Sequence, residues 1–157
     1  MNAVFLYLVR HAEAKHESED PTRGLTDKGF RDIALVALFV HDQGVAVDRI
    51  YHSGIKRAQQ TAQALADQVH PKQGMSEAGW LAPMDDPNIG VEHVSHMRED
   101  LMLVGHLPFL AGLSSLLLCG DAHKNIVDFK KAAIVCLKRH DDGHWSVEWM
   151  VTPEMVG

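Results

Sequence analysis

Four residues of this chain, Arg10, His11, Arg57 and His106, are of types that together can hold and attack a phosphoryl group. A guanidinium is planar, permanently charged and offers a fork of donors suited to a tetrahedral oxyanion. A neutral imidazole keeps one bare ring nitrogen, which can act as a nucleophile or take part in proton transfer. The four are far apart in sequence, yet they stand in the same local setting. Val9-Arg10-His11, His52-Ser53 leading to Arg57, and Gly105-His106-Leu107-Pro108 each put a polar or cationic residue where an apolar run stops and a helical pattern begins. In parallel α/β sheets the carboxyl ends of strands share one edge, and ligands bind in the crevice there. Helix N-termini add free N–H groups and a positive partial charge. The three junctions therefore converge on an anion site, and phosphate is favoured over any neutral ligand.

The elements that must position these groups alternate between strand-like and helical patterns, which predicts an α/β sandwich. A first strand is expected over Val4–Val9, followed by a charged loop over His16–Gly24. Thr26 is placed to cap a helix running to about Asp42, with Ile33, Val36, Ala37 and Val40 on its buried face. A strand over Val47–His52 leads into a helix capped by Ser53 and reaching about Gln68. A short strand near Met75–Ala78, a helix over Pro87–Arg98 and an apolar strand over Leu101–Gly105 follow. Pro108 falls in the first turn of a helix that continues to about Cys119, a position where proline is tolerated. Strands near Ala132–Lys138 and Trp145–Val151 flank Asp141-Asp-Gly143 and read as an antiparallel hairpin, so the sheet is expected to be mixed.

Composition narrows the function. The 157 residues, 46% hydrophobic and 23% charged, have the length and balance of one folded domain, taken here as residues 1–157. A net charge of −6 argues against general nucleic-acid binding, which needs a basic face to displace counterions. The apolar run Ala3–Val9 is too short to span a membrane and carries no export signature, so the expectation is a cytoplasmic protein. Cys119 and Cys136 lie in apolar surroundings and read as buried small side chains rather than metal ligands or a disulfide. His93 and His96 fall on the polar face of a helix with no third ligand nearby, so no metal site is expected. The loop from His16 to Asp20 is expected to be solvated and mobile near the mouth of the site.

Leu8-Val-Arg-His-Ala12 resembles the Arg-His-Gly or Arg-His-Ala signature of the histidine phosphatase superfamily, the phosphoglycerate mutase-like fold. The resemblance extends through Arg23-Gly-Leu-Thr26 with Gly29, through Ser53-Gly-Ile-Lys-Arg-Ala-Gln-Gln-Thr-Ala62, and through Val104-Gly-His-Leu-Pro108. In order and spacing these segments are most similar to the short bacterial phosphohistidine phosphatases of the SixA type. The resemblance implies a three-layer α/β/α sandwich with a mixed, mostly parallel sheet and a reaction that needs no cofactor. It implies His11 as the nucleophile that takes the phosphoryl group, with Arg10, Arg57 and His106 completing the phosphate pocket. Ser53, Arg23 and the backbone at Leu107 are further candidates for substrate contact. The implied partner is a phosphohistidine-bearing protein, such as a histidine-containing phosphotransfer domain or a phosphocarrier.

The sequence also departs from that pattern. Gly24 and Gly54 stand where many relatives have proline, which predicts looser loops. Many relatives place a glutamate after the third strand to protonate the leaving oxygen; here Trp80 occupies the aligned position, with Glu77, Asp85 and Asp86 nearby. A phosphate ester expels a basic alkoxide and gains greatly from such an acid, whereas phosphohistidine expels an imidazole. The departure thus favours phosphohistidine. Two alternatives stay open at this stage: a phosphatase or mutase of the same fold acting on a small ester, and a phospho-ligand binding module without turnover.

Overall fold

In the computed structural model, residues 3–157 are described. In chain order they form β1 (Val4–Arg10), α1 (Asp27–Asp42), β2 (Arg49–His52), α2 (Lys56–Val69), β3 (Met75–Glu77) and α3 (Pro87–Ser95). β4 (Leu101–Gly105), α4 (Phe109–Cys119), β5 (Ile134–Arg139), β6 (Trp145–Val151) and α5 (Pro153–Val156) follow. The six strands make one sheet in the order β3-β2-β4-β1-β5-β6. β1, β4, β2 and β3 pair in parallel, while β5 runs antiparallel to both β1 and β6. The expected mixed, mostly parallel sheet is what forms.

Alternation along β1 explains the three layers. Successive strand side chains point to opposite faces: Tyr7 and Val9 join one apolar cluster, Leu6 and Leu8 the other. The first cluster takes Ile33, Val36, Ala37 and Val40 of α1 and Ala58, Ala62 and Leu65 of α2. The second takes Val94 of α3 and Phe109, Leu110 and Leu113 of α4. β1 and β4, apolar almost throughout, lie in the middle of the sheet and are covered on both faces.

Local signals account for most boundaries. Thr26 caps α1, its hydroxyl accepting the Gly29 N–H, and Asp86 caps α3 through the Asn88 N–H. Four expectations need correction. α2 begins at Lys56 with Ile55 as its cap residue, so Ser53 is not a helix cap. Pro108 precedes α4 as its cap residue instead of lying in its first turn, and α3 stops at Ser95, short of Arg98. Cys136 is buried as expected, but Cys119 is exposed at the end of α4. No helix among the described residues is long and apolar enough to cross a membrane.

Candidate active site

Register brings the three junctions together. β4 lies between β1 and β2; Arg10 is level with Gly105, and His52 with Val104. The residues just beyond these strand ends, His11, His106 and Ser53, are therefore neighbours. The His11 N–H continues the ladder by donating to the Gly105 carbonyl at 3.0 Å. The His11 and His106 rings lie 5.1 Å apart between centroids.

His11 is buried, and its Nδ1 lies 2.7 Å from the Ala12 carbonyl. A carbonyl only accepts, so Nδ1 carries the proton and Nε2 is bare. Burial pushes the imidazole down to about 4; the Ala12 hydrogen bond opposes this, while the charges of Arg57, Arg10 and Arg23 lower it further. The ring is neutral at ordinary pH with one nitrogen free. Burial also takes His106 down to about 3, helped by His11 and Arg57. Its Nε2 is 2.7 Å from Ser53 Oγ, the contact that replaces the expected helix cap.

The cations are poorly compensated. Arg10 donates one Nη1–H to the Phe129 carbonyl at 2.9 Å, and Arg23 donates its Nε–H to the Lys15 carbonyl at 2.9 Å. Four buried side-chain polar atoms lack a partner among the described residues, and three of them belong to this group: Arg10 Nε, Arg57 Nε and His106 Nδ1. Burial lowers both Arg10 and Arg57; Arg23 lowers Arg57 further, and only Asp128 offsets the effect on Arg10. A half-buried cluster of cations with spare donors is suited to an anion. Leu107, half-buried, packs its side chain into the second apolar cluster.

The acid candidates separate. Asp85 accepts the Ala82 N–H at 2.9 Å within its own turn, and Asp86 is spent on capping α3. Trp80 stacks on His93 with ring centroids 4.4 Å apart and also meets Tyr51 and Phe109, so His93 is stacked as well as exposed. Glu77 stays exposed at the end of β3, its carboxylate against Gly54. Gly54 has φ 84°, and a Cβ there would lie 2.5 Å from Glu77 Cδ. The loop is tightly packed where looseness was expected. Gly24 is likewise confined, with Lys56, Asp20 and Gln60 side chains within 3.3 Å of where its Cβ would be. Asp20 knits the loop before it, accepting from Thr22 and from the Gly24 N–H, while His16 to Glu19 are exposed. Among the described residues no group of three or more His, Cys, Asp or Glu could hold a metal ion.

One supporting residue went unread in the sequence. Thr61, fully buried, donates to the Arg57 carbonyl at 2.7 Å and accepts the Ala12 N–H at 3.0 Å. It ties the helix that carries Arg57 to the turn that holds His11. Its signal was a lone hydroxyl among Ala58, Ala62 and Leu65 on the buried face of α2.

The family model for the histidine phosphatase superfamily (branch 1) matches residues 6–82, which include Arg10, His11, Arg23, Ser53 and Arg57. The chain is similar to the phosphohistidine phosphatase SixA of Escherichia coli (strain K12), at 22% identity over 153 residues, 94% of this chain and 93% of that protein. It has the fold of the protein histidine phosphatase SixA solved in complex with tungstate, with a TM-score of 0.87 and 21% identity over 98% of this chain and 100% of the other. A phosphoserine phosphatase from Entamoeba histolytica, solved with phosphoserine, shares the fold at a TM-score of 0.71 and 15% identity, covering 98% of this chain and 100% of that one.

Proposed function

We propose that this phosphatase acts through a phosphohistidine formed on His11 and that its preferred substrate is phosphohistidine on another protein, such as a phosphotransfer domain or phosphocarrier in the cytoplasm. One observation carries the reading: a neutral imidazole, its Nδ1–H bonded to the Ala12 carbonyl and its Nε2 bare, stands among the charges of Arg57, Arg10 and Arg23. In the reaction, the Nε2 lone pair attacks phosphorus in line, and the bond from phosphorus to the substrate imidazole breaks. That imidazole, already protonated from solvent on its other ring nitrogen, departs as the neutral ring. Arg10, Arg57 and His106 balance the charge on the equatorial oxygens, the main source of rate in phosphoryl transfer. Water then attacks phosphorus, the Nε2–P bond breaks and inorganic phosphate leaves. Arg23, Ser53 and the Leu107 backbone line the substrate side.

The expected covalent species gives the test. Wild-type protein quenched during turnover carries phosphate that is acid-labile and alkali-stable, as a phosphoramidate is, and His11→Ala carries none while keeping its fold. Label that survives acid, or an active His11→Ala variant, refutes the assignment. A second reading, a small phosphate ester as substrate, draws on the exposed Glu77 carboxylate, which lies against Gly54 next to Ser53.

A further inference from the structure

His52 ends β2 in register with Val104 of β4 and Glu77 of β3, and only 5% of its surface is exposed. Alternation along β2 puts it on the same buried face as Ile50, where an aliphatic side chain would pack without polar cost. The imidazole there has a definite partner: its Nδ1 accepts the Gly54 N–H at 3.0 Å. A backbone N–H can only donate, so Nδ1 is bare and the ring proton sits on Nε2. On the far side of the same turn, the Ile55 N–H meets Ser53 Oγ at 3.3 Å. The peptides on either side of Gly54 are thus each held by a side chain, Ser53–Gly54 by His52 and Gly54–Ile55 by Ser53, about a residue whose φ of 84° glycine adopts at little cost. Ser53 Oγ in turn lies 2.7 Å from His106 Nε2. A proline at position 54 has no N–H and would leave His52 nothing to hold.

From this run of contacts we infer that His52 is a positioning residue: it fixes the Ser53–Gly54 peptide and, through Ser53 Oγ, the orientation of His106 beside His11. The inference rests on the functional reading above, because it gives His52 a task only if His106 serves phosphoryl transfer. Glu77, level with His52 on β3, acts on this ring from one side, while burial lowers its basicity.

The test uses p-nitrophenyl phosphate, whose weakly basic leaving group needs no acid, so it follows transfer to His11 whatever the natural substrate. His52→Leu removes the acceptor and lowers kcat about tenfold, the scale of one buried N–H left unpaired, with KM unchanged because the arginines still bind phosphate. His52→Asn restores most of the loss, since an Asn side-chain oxygen accepts the N–H two residues on as in an Asx turn. In a Ser53→Ala background, His52→Leu lowers kcat no further, because both changes break the same path. All rates are taken per folded molecule, with folding followed by far-UV circular dichroism and Tm. A His52 that merely packs would lower Tm and leave kcat intact. That result, an Asn variant no better than Leu, or full additivity with Ser53→Ala overturns the inference. A wild type that places no phosphate on His11 overturns the functional reading and this inference with it. A wild type that does so at the same rate as His52→Leu overturns this inference alone.

Discussion

At His11, the nucleophile of the proposed reaction, the burial that keeps the ring neutral also makes the fold sensitive to acid. An unfolded histidine takes its proton near 6.5, whereas burial holds folded His11 at about 4 and His106 at about 3. As pH falls through 6.5 the unfolded chain binds protons that the folded chain refuses, so stability declines from there down to about 4 and 3 as the folded groups titrate. Urea midpoints should therefore drop steadily from pH 7 to pH 4.5, and His106→Gln should flatten part of that slope; a midpoint indifferent to pH across this window would contradict it. The cations give a second expectation. Arg57→Ala should cost roughly 10²–10³ in rate, as for the loss of one preorganised donor. Tungstate should inhibit as a phosphate mimic, and EDTA should leave the rate unchanged. Activity that depends on an added divalent cation would send attention back to His93 and His96.

At the level of elements, the start of α1 and the turn after β1 are locked together. A Cβ on Gly29 would come 2.2 Å from the Glu13 carbonyl oxygen, backbone that cannot swing aside, and the Thr26 N–H is bonded to that same oxygen. Gly29→Ala should destabilise by about 1–3 kcal/mol, the usual range for overpacking, and should lower turnover by displacing the turn that carries His11. An unchanged Tm and rate would show that the turn yields. The strand ends and most of the helices were legible because apolar alternation, the Thr26 cap and the Gly143 turn act within a few residues of chain. Ser53 was misread because its hydroxyl is recruited by His106, 53 positions further on, a partner no local pattern reveals. The packing of Gly54 against Glu77, and the contacts of Thr61 and His52, were hidden for the same reason. They depend on which strand end lies beside which. The convergence of Arg10, His11, Arg57 and His106 was readable because it needs only parallel strands, not side-chain detail.

Over the whole molecule, a net charge of −6 surrounds a site where positive charge is concentrated, so recognition of an anion is local and not a property of the surface at large. If phosphohistidine on a protein is preferred, kcat/KM for a phosphorylated phosphocarrier should exceed that for sugar and amino-acid phosphates. A clear advantage for an ester that vanishes in Glu77→Gln would instead favour the second reading. The strand order bears also on the birth of the protein. β1 emerges first, yet its neighbours are β4 and β5: Leu6 pairs with Leu101 on one side and with Leu137 on the other. Ribosomes add roughly 5–20 residues per second, so this apolar strand waits several seconds for either partner. Non-local pairing of this kind also slows folding after release. The chain should therefore depend on chaperones during synthesis more than its modest size suggests, with the vulnerable interval ending when β5 clears the exit tunnel.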